Sequence, residues 1–160
     1  MNAVIALYRG KSLFPSRLIE WFSWSKYSHA SLAIEALDGL TIYEAWASGG
    51  VRKTRAWHDG HTRGTRIDLY EFIDPMSDIE ICAIRSAAES DLGRPYDFKG
   101  ILSFLLRRRM QSKNALFCSE AVTLWCLSAG RILQDTEPWK IMPGHIGMSP
   151  ILRYVSSVIA

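Results

Sequence analysis

An α+β fold is predicted by the order of hydrophobic patterns along the chain. Alternating, β-prone segments fill the first half and segments with helical spacing fill the second. Three features mark that order: a turn signal at Asp38-Gly39 between two alternating runs, a capping-box sequence at Ser77-Asp78-Ile79-Glu80, and a cysteine, Cys118, where the last helix should begin.

Residues 3 to 8 are apolar and β-prone and are closed by Arg9-Gly10, so they read as a buried strand. Ser16 after Pro15 offers an N-cap, with Leu18, Ile19, Phe22 and Trp24 as the stripe of a short helix. From His29 to Glu35, Leu32 and Ile34 alternate with Ser31 and Ala33. Across the Asp38-Gly39 turn a second strand should run from Thr41 to Trp46. Gly49-Gly50 interrupts, Val51 to Trp57 resumes, and Thr65 to Phe72 follows the polar loop His58 to Gly64.

A helix should start at Ser77, bury Ile81, Ile84 and Ala88, and end at Gly93. Phe98 to Arg109 gives a second helix through Ile101, Leu102, Leu105 and Leu106. Cys118 to Ala129 gives a third, stopped by Gly130. Pro138, Pro143, Gly144, Gly147 and Pro150 mark a loop-rich tail that ends in the apolar segment Ile151 to Ala160.

A chain of 160 residues fits one domain spanning 1–160. Its 48% hydrophobic and 22% charged residues exclude the disordered and fibrous classes. The N-terminus lacks a basic region and a long enough apolar stretch for a signal peptide, and no segment approaches the roughly 18 apolar residues of a membrane span. A cytoplasmic protein is expected. Arg107-Arg108-Arg109 lacks interleaved aromatics and complements a helix end, so nucleic-acid binding is not expected. The apolar Ile101 to Leu106 face before it reads first as core and second as a membrane-surface contact. Oligomeric state leaves no mark in the sequence.

Three cysteines, with no CxxC pair, argue against a disulfide framework and a zinc ribbon. Cys82 and Cys126 lie in apolar surroundings and read as small buried hydrophobes. Cys118 differs. A helix N-terminus presents free N–H groups and the positive end of the dipole, both of which favour thiolate. A thiolate nucleophile needs a base, and His29 at a strand start could supply it, with an acidic residue such as Glu44 on the neighbouring strand holding the ring. The turn register places His29 opposite a position near 48, so Glu44 would have to be reached through a bulge or diagonally; a solvated strand residue is the alternative for Glu44. His58 and His61 fall in a Gly-containing loop without further ligands and read as solvated, so no metal or other cofactor is expected.

Tyr27-Ser28-His29-Ala30-Ser31-Leu32-Ala33-Ile34-Glu35, Ile42-Tyr43-Glu44-Ala45 with Gly50-Val51, and Leu92-Gly93-Arg94-Pro95-Tyr96-Asp97-Phe98 with Phe117-Cys118-Ser119-Glu120 together resemble the NlpC/P60 superfamily of papain-like cysteine hydrolases. The histidine precedes the cysteine, which is the order of the circularly permuted branch that includes YiiX-like and lecithin:retinol acyltransferase-like proteins. The resemblance spans roughly residues 3 to 150. It implies a papain-like fold with the nucleophile at a helix N-terminus, Cys118 as nucleophile, His29 as base and then acid, Glu44 as orienting residue, and Tyr96 as a hydroxyl donor to the oxyanion. The implied activity is that of an amidase or peptidase-like thiol hydrolase with a thioester intermediate, acting on a peptide, peptidoglycan fragment or lipidated peptide. A lipid acyltransferase or phospholipase of the same fold is the alternative, as is a non-catalytic binding module.

Overall fold

The computed structural model describes residues 1–10, 25–99 and 114–160. The elements in chain order are β1 (Asn2–Arg9), β2 (Tyr27–Ala36), β3 (Gly39–Trp46), β4 (Gly50–Thr54), β5 (Arg66–Phe72), α1 (Asp78–Ser90), α2 (Cys118–Ser128), a short 3-10 helix (Pro138–Lys140), α3 (Pro143–Ile146) and β6 (Leu152–Ile159). The strands form one antiparallel sheet in the order β4-β3-β2-β1-β5-β6. The expected helices after Ser16 and over Phe98 to Arg109, with Arg107, Arg108 and Arg109, fall outside the described residues except for Phe98 and Lys99.

Alternation dictates two faces. Ile5 and Leu7 of β1, Leu32 and Ile34 of β2, and Tyr43 and Ala45 of β3 point to one side, where they meet Ile81, Ile84 and Ala88 of α1 and Ala121, Val122 and Trp125 of α2. Ala6, Tyr8 and Ile67 point to the other, beside Trp57, Leu69 and Val158. Helix α1 begins as its sequence demands: Ser77 Oγ accepts from Glu80 N–H at 3.3 Å while Ser77 N–H donates to Glu80 Oε2 at 2.8 Å, a reciprocal cap that stabilises a helix start by about 1 kcal/mol.

Three features differ from the sequence reading. The apolar tail is a strand: β6 pairs with β5 from Arg66↔Ile159 to Phe72↔Leu152, so strands bracket the helices rather than simply preceding them. Cys82 is exposed, because the buried positions of α1 are Ile81, Ile84 and Ala88, and residue 82 falls outside that stripe. The β2–β3 turn is tighter than expected, with Ala36 paired to Gly39, which shifts the register by two.

The β2–β3 ladder runs from Ala36↔Gly39 to Leu32↔Tyr43. The ladder to β3 stops at Leu32 and does not include Tyr27 to Ser31, although β1 remains paired with that half of β2. Helix α2 packs against both β2 and β3. Extending the register places Glu44 opposite Ser31 and Trp46 opposite His29. His29 and Glu44 are then diagonal neighbours on one face.

The segment before the cysteine helix is fixed independently. Val51 N–H donates to Arg94 O and Gly93 N–H to Val51 O, both at 2.8 Å. Gly50, at φ 75°, lies so close to Arg94 O that a Cβ there would collide with backbone. Asp91 accepts from Arg94 at 2.7 Å and from Trp125 Nε1 at 2.9 Å, tying the segment to α2. Tyr96 then forms a parallel bridge to Leu116, two residues before Cys118.

Candidate functional site

Cys118 is the first residue of α2, with Phe117 in extended conformation at the N-cap. Its sulfur accepts from the backbone N–H groups of Ser119 and Ala30. The first follows from the helix start, where N–H groups have no intrahelical partner. The second comes from the part of β2 beyond the end of its ladder to β3. Helix α2 is held by Ser119 Oγ, which donates to Ile141 O at 2.6 Å, and by Thr123 Oγ1, which donates to Ser119 O at 2.7 Å.

His29 hydrogen-bonds to Cys118 and, through Nε2, to Glu44 Oε2 at 2.7 Å. An ionised carboxylate can only accept, so His29 Nε2 carries the proton and Nδ1 is the nitrogen left for the sulfur. Glu44 is 1% exposed and fully occupied. Oε1 accepts from Arg52 Nε at 2.9 Å and Nη2 at 2.7 Å, and Oε2 accepts from His29 and, at 3.2 Å, from His61 Nε2. Glu44 thus reaches His29 by a diagonal contact.

His61 departs from its expected solvated state. Its side chain is 8% exposed, stacks on Tyr8 with centroids 4.2 Å apart and meets the edge of Trp46 at 4.7 Å. Two features draw the loop inward: Arg52 Nη2 donates to Asp59 O at 2.8 Å, and Gly60, at φ 78°, lets the backbone pass against the Arg52 guanidinium. Loop residues have no period, so nothing in the sequence pattern marked His61 for burial.

The electrostatics follow from the geometry. Burial alone would raise the Cys118 thiol, but the adjacent His29 and the two N–H donors pull it below its ordinary value. Burial likewise disfavours a charged His29, and this is outweighed by Cys118 and then Glu44, which push the imidazole up to about 10. Glu44, despite burial, is held well below the carboxylate range by His29 and His61. These shifts favour a thiolate–imidazolium pair. Burial pushes Cys126, which has no such partner, up to about 12.

Tyr96 also reaches Cys118 through its hydroxyl, and burial together with the sulfur keeps that hydroxyl protonated. All four side chains singled out in the sequence therefore meet in one place. Among the described residues, His29, Glu44 and His61 also form a set of metal-competent donors, with one ligand atom from each lying within 4.8 Å of the others.

A cysteine at a helix start, facing a histidine on the second strand of an antiparallel sheet, sits within an α+β architecture of the YiiX-like type. The crystal structure of the metalloprotein yiiX from Escherichia coli O157:H7 matches this chain with a TM-score of 0.71 at 18% identity, over 98% of this chain and 96% of that one. The likeness is one of fold. No protein-family model and no curated protein matches the sequence. Among the described residues, no helix is long and apolar enough to cross a membrane.

Proposed function

We infer that the protein is a thiol hydrolase of the permuted NlpC/P60, papain-like type, cleaving an amide or ester bond through Cys118, His29 and Glu44. The observation that carries this reading is the line of contacts from the helix-start sulfur to His29 and from His29 Nε2 to the buried Glu44 carboxylate. The Cys118 proton passes to His29 Nδ1, and the thiolate attacks the substrate carbonyl carbon. The new C–S bond forms as the carbonyl oxygen takes the electron pair. The Tyr96 hydroxyl and the Cys118 N–H at the start of α2 stand near the sulfur to receive that oxyanion. Collapse breaks the bond to the leaving group, which takes the proton from His29. Water, deprotonated by His29, then cleaves the thioester and restores Cys118. A peptide, peptidoglycan fragment or lipidated peptide is the substrate class proposed.

Iodoacetamide labelling of each cysteine against pH, in wild type and His29→Ala, tests the pair. Cys118 should label fast below the ordinary thiol range of about pH 8.5, and loss of His29 should slow it. Cys82, which is exposed, should label equally in wild type and His29→Ala, and Cys126 should stay unlabelled in the folded protein. Ordinary reactivity at Cys118, or indifference to His29, would move the protein to a non-catalytic binding role.

Tyr96→Phe separates oxyanion stabilisation from thiol activation. Turnover of p-nitrophenyl acetate should fall about a hundredfold, the scale of one lost oxyanion donor, while the midpoint of Cys118 labelling rises by much less, because His29 and the Ala30 and Ser119 N–H groups still favour the thiolate. A labelling midpoint displaced as far as turnover falls would make the Tyr96 hydroxyl a partner of the thiolate instead.

A further inference from the structure

The proposed hydrolysis leaves His61 unused. Glu44 is already oriented by the two Arg52 bonds to Oε1, and His29 needs only one acceptor on Oε2. Yet a second imidazole is aimed at the same oxygen, its ring clamped between Tyr8 and Trp46.

The geometry points to a regulatory divalent-metal site of the zinc class formed by His29 Nε2, Glu44 Oε2 and His61 Nε2, whose occupation takes His29 out of proton transfer with Cys118. The donor set is chemically apt: two imidazoles and one carboxylate are ligands that zinc-class ions accept together, with a fourth position left open. The spacing needs only a small adjustment, since the His29 and Glu44 donors now in hydrogen-bond contact must draw apart to admit an ion. The two nitrogens lie 2.7 and 3.2 Å from Oε2 and all three donors are within 4.8 Å of one another. A tetrahedral zinc with bonds of about 2.0–2.1 Å separates its ligand atoms by roughly 3.3 Å. Arg52, held on the other carboxylate oxygen, does not occupy the metal face and fixes the carboxylate as an outer-sphere partner.

The consequence for His29 is a matter of proton counting. To bind an ion, Nε2 must give up its proton and offer its lone pair. The remaining ring proton then sits on Nδ1, facing the sulfur, where it can hydrogen-bond to a thiolate but cannot accept a proton from a thiol or from water. Metal binding thereby removes the base. This consequence rests on the thiol reading, whereas the binding site itself does not.

The test is zinc affinity of the metal-free full chain by competition with a chromophoric chelator, in wild type, His61→Gln, His58→Gln and Cys118→Ala, together with Cys118 alkylation with and without zinc. His61→Gln retains bulk and a polar tip in case His61→Ala disturbs the loop, and its circular dichroism and metal-free labelling profile report folding. One ion per chain is expected in wild type, His58→Gln and Cys118→Ala, with a loss of about tenfold or more in His61→Gln. Cys118 should still alkylate in the zinc-loaded protein. Unchanged affinity in a folded His61→Gln overturns the site. So does zinc binding that needs Cys118 and shields it from alkylation, because the ion would then sit on the thiolate. Ordinary thiol behaviour of Cys118 in the metal-free chain counts against the hydrolase alone and leaves the affinity comparison decisive for the metal.

Discussion

Cys118→Ala is expected to abolish acyl transfer, lowering turnover of p-nitrophenyl acetate by at least about a thousandfold and removing the acyl adduct from the intact-mass spectrum. No other thiol among the described residues can substitute. Cys126 is fully buried with its thiol raised to about 12, and Cys82 is exposed on α1. The same variant carries a second signature. His29 loses the partner that most strongly raises its basicity while the opposing effect of burial persists, so its titration should move down from about 10, as read by histidine NMR. Stability should change little, by about 1 kcal/mol or less, since a small buried side chain is exchanged for a slightly smaller one. Cys82→Ala should leave turnover and the His29 titration intact. Equal losses in both variants, or an acyl adduct that survives in Cys118→Ala, would remove Cys118 from the proposed chemistry.

How much of this was legible in the sequence depended on whether a feature left a periodic or local signal. The hairpin strands, the Ser77 cap and the helix starting at Cys118 all did, and they appear within a few residues of their expected bounds. The β2–β3 register did not. Asp38-Gly39 announces a turn, but whether Gly39 lies in the loop or opens the strand shifts every facing residue, and Gly39 pairs with Ala36. That difference moved the position facing His29 and made Glu44 look several residues out of reach, although same-face diagonal contact was already one of the two ways to close the gap. β6 was hidden because Ile151 to Ala160 follows a proline- and glycine-rich stretch and carries exposed Tyr154, Val155 and Ile159, so its partner strand, far away in sequence, decides its conformation. His61 was hidden for a related reason: a loop is placed by what it lands on, here Arg52 and Tyr8, and sequence spacing does not encode that landing.

Glu44→Gln should combine a large loss of activity with a pH-dependent loss of stability. The activity argument turns on a proton. Arg52 presents two N–H donors to one side of residue 44, so the amide oxygen of glutamine will face Arg52 and its NH2 group will face His29 and His61. His29 Nε2 must then accept instead of donate, its proton moves to Nδ1, and the nitrogen facing Cys118 can no longer take a proton. A catalytic histidine locked in the wrong tautomer costs on the order of 10³–10⁴ in turnover. Alkylation of Cys118 should correspondingly shift towards the ordinary thiol range of about pH 8.5. The stability argument is separate. Glu44 is buried and its loss strands the Arg52 charge, which costs about 3 kcal/mol, the low end for a broken buried pair, because the Arg52 side chain is 28% exposed. That corresponds to a fall of roughly 6–12 °C in the unfolding midpoint. Glu44 is held below its unfolded value of about 4.3, so its stabilisation is fully present above that pH and is lost as pH falls through the unfolded and then the folded value. The gap between wild type and Glu44→Gln should therefore be widest near neutrality and narrow in acid. A constant gap from neutrality down to about pH 3 would mean that packing rather than the buried charge accounts for the loss. A wild-type labelling profile in a folded Glu44→Gln protein would show that Glu44 does not set the His29 tautomer.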